Sequence, residues 1–169
     1  TPVKTATVTI ECTPPENTVE YVVEALSPLS GLPMADGDAV VEGDNFTIRV
    51  SVQDSRGDSV VAPAEAGVYA GYVDLLYDTD HLQVVAGSLN NGSIFTDITQ
   101  GEADLPGVID EAGGVQDGLD QSNFDRGTTA MELFTIDVTA IASTNGGLTV
   151  LQTDPINVSP LHDTVVIAP

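Results

Sequence analysis

The sequence predicts an all-β protein, an antiparallel sandwich or jelly roll, from three observations. Apolar and polar residues alternate with period two in several runs, helical periodicity is hard to find, and Gly, Pro, Asp and Asn gather between the runs. Phe46, Ile48, Val50 and Val52 alternate with Thr47, Arg49, Ser51 and Gln53, which puts the apolar side chains on one face of a half-buried strand. Glu42-Gly43-Asp44 before that run is turn chemistry. Val73, Leu75 and Tyr77 alternate with Tyr72, Asp74 and Leu76, and Asp78-Thr79-Asp80 ends the run. Phe134, Ile136, Val138 and Ala140 alternate with Thr135, Asp137 and Thr139, ahead of an Asn145-Gly146-Gly147 turn. Further strands are expected at residues 6–10, 20–26, 82–85, 148–151 and 164–167, all enriched in β-branched or aliphatic side chains.

Two stretches lack the alternation. Residues 54–67 form a polar loop containing Arg56-Gly57-Asp58 and Pro63. Residues 87–126 are rich in Gly and acids and are expected to hold only short strands, around Val108-Ile109 and Val115. The 169 residues suffice for one domain with an ordinary core. Pro14-Pro15-Glu16-Asn17 marks a boundary, which makes residues 1–17 an extra N-terminal strand or inter-module linker and residues 18–169 the body.

Charge narrows the function classes. Asp and Glu number 26 against 4 Lys and Arg, a net charge of −22, so the basic footprint of a nucleic-acid binder is missing. Anionic membrane surfaces are disfavoured for the same reason, and no apolar run approaches the roughly 18 residues of a membrane span. The acidity does not signal disorder, because 41% of the residues are hydrophobic. Cys12 is the only cysteine, so no disulfide framework or cysteine-based metal site is expected. Few Lys, many Asp and abundant small polar residues suit an exported protein of a saline habitat, where surface carboxylates maintain solubility under screening. An extracellular or cell-surface setting is therefore expected.

The order of the strands, with Val41-Glu42-Gly43-Asp44 leading into one and Gly67-Val68-Tyr69-Ala70-Gly71-Tyr72-Val73-Asp74-Leu75-Leu76-Tyr77-Asp78 forming the next, resembles the cohesin family. Leu82-Gln83-Val84-Val85 and Glu132-Leu133-Phe134-Thr135-Ile136-Asp137-Val138-Thr139-Ala140 match later strands of that pattern, and the match runs from about Tyr21 to Ile167. Leu105-Pro106-Gly107-Val108-Ile109-Asp110-Glu111-Ala112-Gly113-Gly114 and Leu161-His162-Asp163-Thr164-Val165-Val166 look most like cohesin-like domains of large exported proteins from planctomycete-type bacteria. The resemblance implies a jelly-roll β-sandwich that binds dockerin modules without catalysis. It also implies polar partner contacts on the strand ending in Tyr-Asp, at positions that fall here on Ala70 and Tyr72. Tyr72, as an aromatic anchor, with Asp74 and Leu76 on the same face by alternation, is the expected partner-binding set.

Other chemistry has thinner support. His81 and His162 are the only side chains suited to act as a base near neutrality, and neither lies in a nucleophile motif. Calcium takes oxygen ligands from flexible loops, so Asp117, Asp120 and Asp125 are the candidate ligands, with Asp36-Gly37-Asp38 and Asp78-Thr79-Asp80 as further acidic turns. None has the regular spacing of a known calcium loop. Tyr21, Tyr69, Tyr72, Tyr77 and Phe95 are the aromatics available for a sugar platform, but without Trp most are expected in or near the core. The expected function is thus a non-catalytic module that binds a dockerin-like protein. The alternatives are a structural link of a surface fibre or stalk, using the alternating Thr5-Ala6-Thr7-Val8-Thr9-Ile10 segment, and a carbohydrate-binding module.

Overall fold

The computed structural model describes residues 19–35, 38–54, 67–116, 129–143, 151–153 and 165–167. Ten strands are formed there: β1 Val19–Leu26, β2 Asn45–Asp54, β3 Val68–Tyr77, β4 Leu82–Val84, β5 Asn90–Asn91, β6 Asp97–Glu102, β7 Val108–Val115, β8 Met131–Ala140, β9 Leu151–Thr153 and β10 Val165–Ile167. They build two five-stranded antiparallel sheets. Sheet A runs β1-β2-β8-β4 with β5 also on β8, and sheet B runs β10-β3-β7-β6 with β9 also on β3. The chain passes repeatedly between the sheets, and the pairings are nested: β2 lies on β8 in one sheet and β3 on β7 in the other. That wrapping is a jelly-roll sandwich, as the alternation implied. The expected N-terminal strand at residues 6–10 lies outside the described residues, as do the proposed boundary at residues 14–17 and the Arg56-Gly57-Asp58 turn.

Period two puts the core where the sequence placed it. Phe46, Ile48, Val50 and Val52 of β2 and Phe134, Ile136, Val138 and Ala140 of β8 are buried, facing Val73 and Leu75 of β3 and Ile109 and Ala112 of β7. Phe95, from the segment before β6, fills the same core. Each fully buried aliphatic or aromatic side chain of this kind stabilises the fold by about 1.5–3 kcal/mol. Two buried polar groups close one end of the sandwich. Asp54 Oδ2 accepts the Gly67 amide at 2.9 Å, and Gln116 Nε2 donates to the Val68 carbonyl at 2.7 Å. These bonds tie the ends of β2 and β7 to the start of β3.

The described part of the segment 87–126, residues 87–116, is more structured than expected. Instead of fragments at Val108-Ile109 and Val115, β7 is one continuous eight-residue strand, and β6 adds six residues beside it. The cause of the misreading is bulging. The register between β3 and β7 shifts between Val73 and Leu75, so Asp110 and Glu111 together oppose Asp74. The β6–β7 register shifts twice more. Each bulge breaks the period-two signature that marks a strand in sequence. A bulge also lengthens β8 backwards to Met131: its register with β2 shifts between Val50 and Ser51, and both Leu133 and Phe134 are buried.

Candidate docking face

The outward face of sheet B is built from β3, β7 and β6. Gly71, Val73 and Leu75 face the core, because a Cβ at Gly71 would touch Leu133 and Val52 while Val73 and Leu75 are buried there. Alternation therefore turns Ala70, Tyr72, Asp74 and Leu76 outward. Tyr72, Asp74 and Leu76 are each half-buried, so the three residues expected from the sequence do share one face. The register extends the face across the sheet. Ala70 lies opposite Val115, which lies opposite Asp97; Tyr72 lies opposite Gly113, which lies opposite Gln100; Leu76 lies opposite Val108. Between these rows, Asp74 faces the bulge, and Asp110 within it pairs with Glu102.

Two of the expected contact residues also hold the sheet together. The Tyr72 hydroxyl donates to the Ile98 carbonyl on β6 at 2.6 Å, so its side chain crosses β7. Opposite Tyr72, Gly113 lets β7 approach β3 closely: it adopts φ 154°, and a Cβ there would run into the Gly71 carbonyl oxygen and crowd the Tyr72 backbone. Partial burial of the phenol raises its pKa above the ordinary value. Asp74 Oδ1 accepts the amide of Glu111 at 2.8 Å, and Glu111 adopts φ 48°, so the carboxylate secures the β7 bulge. Ala70, at one of the positions the resemblance marked for polar contact, is 4% exposed and offers a partner almost no surface. The Tyr72 carbonyl is bonded too, by the Tyr21 hydroxyl reaching from β1 at 3.1 Å. That bond lies where β3's edge passes from its pairing with β10 to its pairing with β9.

The face gathers residues beyond the expected three. Val108 and Val115 flank Leu76 and Ala70, Asp110 and Glu102 flank Asp74, and Ile98 stands beside the Tyr72 hydroxyl at 68% exposure. The signal that would have revealed them is the pair Gly113-Gly114 between Val108 and Val115, where a glycine-containing bulged strand looks like a loop.

The outward face of sheet A differs in kind. Arg49 Nε and Nη2 donate to Glu24 at 3.0 and 2.7 Å, Thr47 donates to Asp137 at 2.7 Å, Gln53 donates to Glu20 at 2.8 Å, and Thr139 donates to Asn45 at 2.6 Å. These are cross-strand polar pairs that satisfy one another.

The remaining sequence candidates fall as follows. Asp117, Asp120 and Asp125, proposed for calcium, lie outside the described residues, as do Asp36, Gly37 and His162. Asp38 Oδ2 accepts the Ala35 amide at 2.9 Å. Asp78 uses both oxygens locally: His81 Nδ1 lies 2.7 Å from Oδ2, and the Asp80 amide donates to Oδ1 at 2.9 Å. The His81 bond first, and the Asp80 amide second, hold the Asp78 carboxyl below its usual pKa. Among the described residues no three potential ligands cluster to hold a metal ion. Of the aromatics considered for a sugar platform, Phe95 is fully buried, and Tyr21 and Tyr77 pack against the core.

No protein-family model and no curated protein matches the chain. Two solved structures are similar to it. One is the complex of a CaDoc0917 variant with CaCohA2, where the likeness covers 75% of this chain and 79% of the other at 15% identity and a TM-score of 0.49. The second, a type I cohesin–dockerin complex from Clostridium thermocellum, is similar over 82% of each chain at 14% identity and a TM-score of 0.47.

Proposed function

We propose that the chain is a non-catalytic, extracellular protein-binding module of the cohesin kind, docking a dockerin-like partner through the outward face of sheet B. The observation that supports this is the contrast between the two outward faces. Sheet A's polar groups pair across strands, whereas sheet B presents Tyr72, Leu76, Val108 and Val115 on one outward face. An aromatic anchor amid aliphatic neighbours is how a few residues come to dominate binding energy. The resemblance carried by residues 67–78 places contacts on that same strand, and the acid-rich, cysteine-poor composition suits an exported protein.

Titration calorimetry with recombinant dockerin modules, with and without calcium, tests the reading. Binding that Tyr72→Ala weakens at least tenfold is the expected result; silence toward every dockerin refutes the dockerin-specific form. A calcium requirement shared by all dockerins tested would place the ion on the partner, and one that follows changes at Asp117, Asp120 or Asp125 would place it here.

A second reading, a link in a surface assembly, is favoured by one observation: among the described residues no strand pairs with the outer edge of β1, which is bridged only at its end, Leu26 to Pro33. Removal of residues 1–13 should then abolish assembly while the sandwich still melts cooperatively, and unchanged assembly counts against it. A carbohydrate-binding role ranks third, since glycan recognition by stacking would rest on Tyr69 and Tyr72 once Phe95, Tyr21 and Tyr77 are committed to the core.

A further inference from the structure

The outer edge of β1 lacks the usual protection against pairing with other chains. Its eight residues run beside β2 without a bulge and include no Lys or Pro. Glu20 and Glu24 do not guard the edge either, because they are bonded to Gln53 and Arg49 on β2. One end is covered. The Ala25 carbonyl accepts the Met34 amide at 2.8 Å, and the Ser27 amide donates to the Leu32 carbonyl at 2.9 Å, around the bridge of Leu26 to Pro33. Ala25 therefore turns its backbone groups to the outer side, and by alternation so does Val23, while Val22 and Glu24 turn theirs to β2. Among the described residues no strand pairs with the outer side from Val19 to Glu24.

The chain ahead of β1 carries a segment that matches this stretch in length and in pattern. Thr5-Ala6-Thr7-Val8-Thr9-Ile10 has six residues for the six from Val19 to Glu24, and residues 11–18, with Pro14-Pro15 and Asn17, give an eight-residue connection. An antiparallel hairpin with Ile10 opposite Val19 puts Val8 opposite Tyr21, Ala6 opposite Val23 and Thr5 opposite Glu24. It stops where the cover by Pro33 and Met34 begins. Residues directly opposite one another share a face. Val8 and Ala6 would thus extend the side on which Tyr21 and Val23 pack, half-buried, against the core, and the threonines would fall on the wet side with Glu20, Val22 and Glu24. A slip of one residue would reverse every one of these positions.

We propose that residues 5–10 of the same chain pair antiparallel with Val19–Glu24 as a detachable edge strand, a latch that closes sheet A to other chains. The same segment of a second copy would fit the register equally well, but it would bring a net charge of −22 against its own. The eight-residue connection instead holds the chain's own segment at about millimolar effective concentration. Docking through sheet B leaves the latch shut. A link in a surface assembly needs residues 1–13 in order to associate, whereas here their release is what permits association.

The test keeps the full chain and alters opposite faces of the segment. Val8→Lys sets a charge against the core and should release the latch. Amide exchange followed by NMR should then quicken at least tenfold at Val23, on the outer side, and stay unchanged at Val22, which is turned to β2. Sedimentation of the same variant should show association that grows with concentration. Thr7→Lys, one residue away and on the wet face between Glu20 and Glu24, should change neither readout. Disulfide formation in a Cys12→Ser background reads the position directly. Thr7→Cys with Val22→Cys, opposite one another, should link within one chain, and Val8→Cys with Val22→Cys should not. Links formed between chains would overturn the proposal in favour of a second copy. Exchange at Val23 that ignores Val8→Lys, or responds equally to both lysine variants, would overturn it as well. So would a parent chain that assembles and loses assembly with Val8→Lys, the outcome expected of an assembly link.

Discussion

The two sheets share a core but follow opposite rules on their outward faces. Sheet A is the more regular: β1 pairs with β2 over eight consecutive residues without a shift, one shift interrupts the β2–β8 pairing, and its outward polar groups bond across strands. Sheet B is bulged, carries Gly71, Gly113 and Gly114 in neighbouring strands, and turns aromatic, aliphatic and acidic residues outward together. A surface that only needs water is cheapest as a ladder of paired polar groups, which sheet A has become. Sheet B keeps apolar area exposed and uses two of its outward polar groups, the Tyr72 hydroxyl and the Asp74 carboxylate, to hold an irregular backbone in one shape. Irregularity fixed by specific bonds is what a preorganised binding surface requires.

That contrast can be broken by degrees. The largest effect is expected from Gly113→Ala, because the added Cβ meets the Gly71 carbonyl and the backbone there disfavours any side chain. A loss of about 3 kcal/mol or more in chemical denaturation is expected, as for other changes that force backbone apart. Asp74→Ala should come next, at about 1.5–3 kcal/mol, because it removes a charged acceptor from the Glu111 amide inside the bulge. Tyr72→Phe keeps the ring and loses the bond to Ile98, which should cost about 0.5–1.5 kcal/mol by the same measurement. On sheet A, Glu24→Gln should cost no more than about 1 kcal/mol and less in high salt, since both side chains of its pair with Arg49 are 30% exposed. If Glu24→Gln proves as damaging as Asp74→Ala, the two faces do not differ as described.

The smallest effect concerns acid. The Asp78 carboxyl has a folded pKa below its unfolded value, so the bond to His81 contributes stability above the ordinary carboxylate range, and that contribution is lost as pH falls through the depressed folded value. The group is exposed, so the slope is slight. Thermal melts of Asp78→Asn and the parent chain should converge below about pH 4, the usual aspartate range. Curves that stay parallel through that range would remove the His81 bond from the account.

How much of this was legible in the sequence follows from the same contrast. The alternation in Phe46–Gln53 and Phe134–Ala140 located β2 and β8 and their buried faces, because a regular strand with one wet side writes period two directly into its residues. The run Tyr72–Tyr77 likewise put Tyr72, Asp74 and Leu76 on one face. The β6–β7 half of that face was not legible. Asp110 and Glu111 share one opposite residue, Ile98 and Glu111 adopt positive φ, and Gly113 lacks a side chain, so no period survives to be read. Long-range bonds were hidden as well. Nothing in the neighbourhood of Tyr72 points to Ile98 across two strands, or of Asp74 to the amide of Glu111. The sequence therefore placed Tyr72, Asp74 and Leu76 on one face and missed the scaffold that fixes them.

The most direct test of the central claim is a hydrogen–deuterium exchange footprint of the chain with a dockerin module that binds it. Protection confined to β3, β6 and β7, with β1, β2 and β8 exchanging as in the free chain, is the predicted result. Protection on the Glu24–Arg49 face of sheet A, with β3 and β6 unaltered, would contradict it.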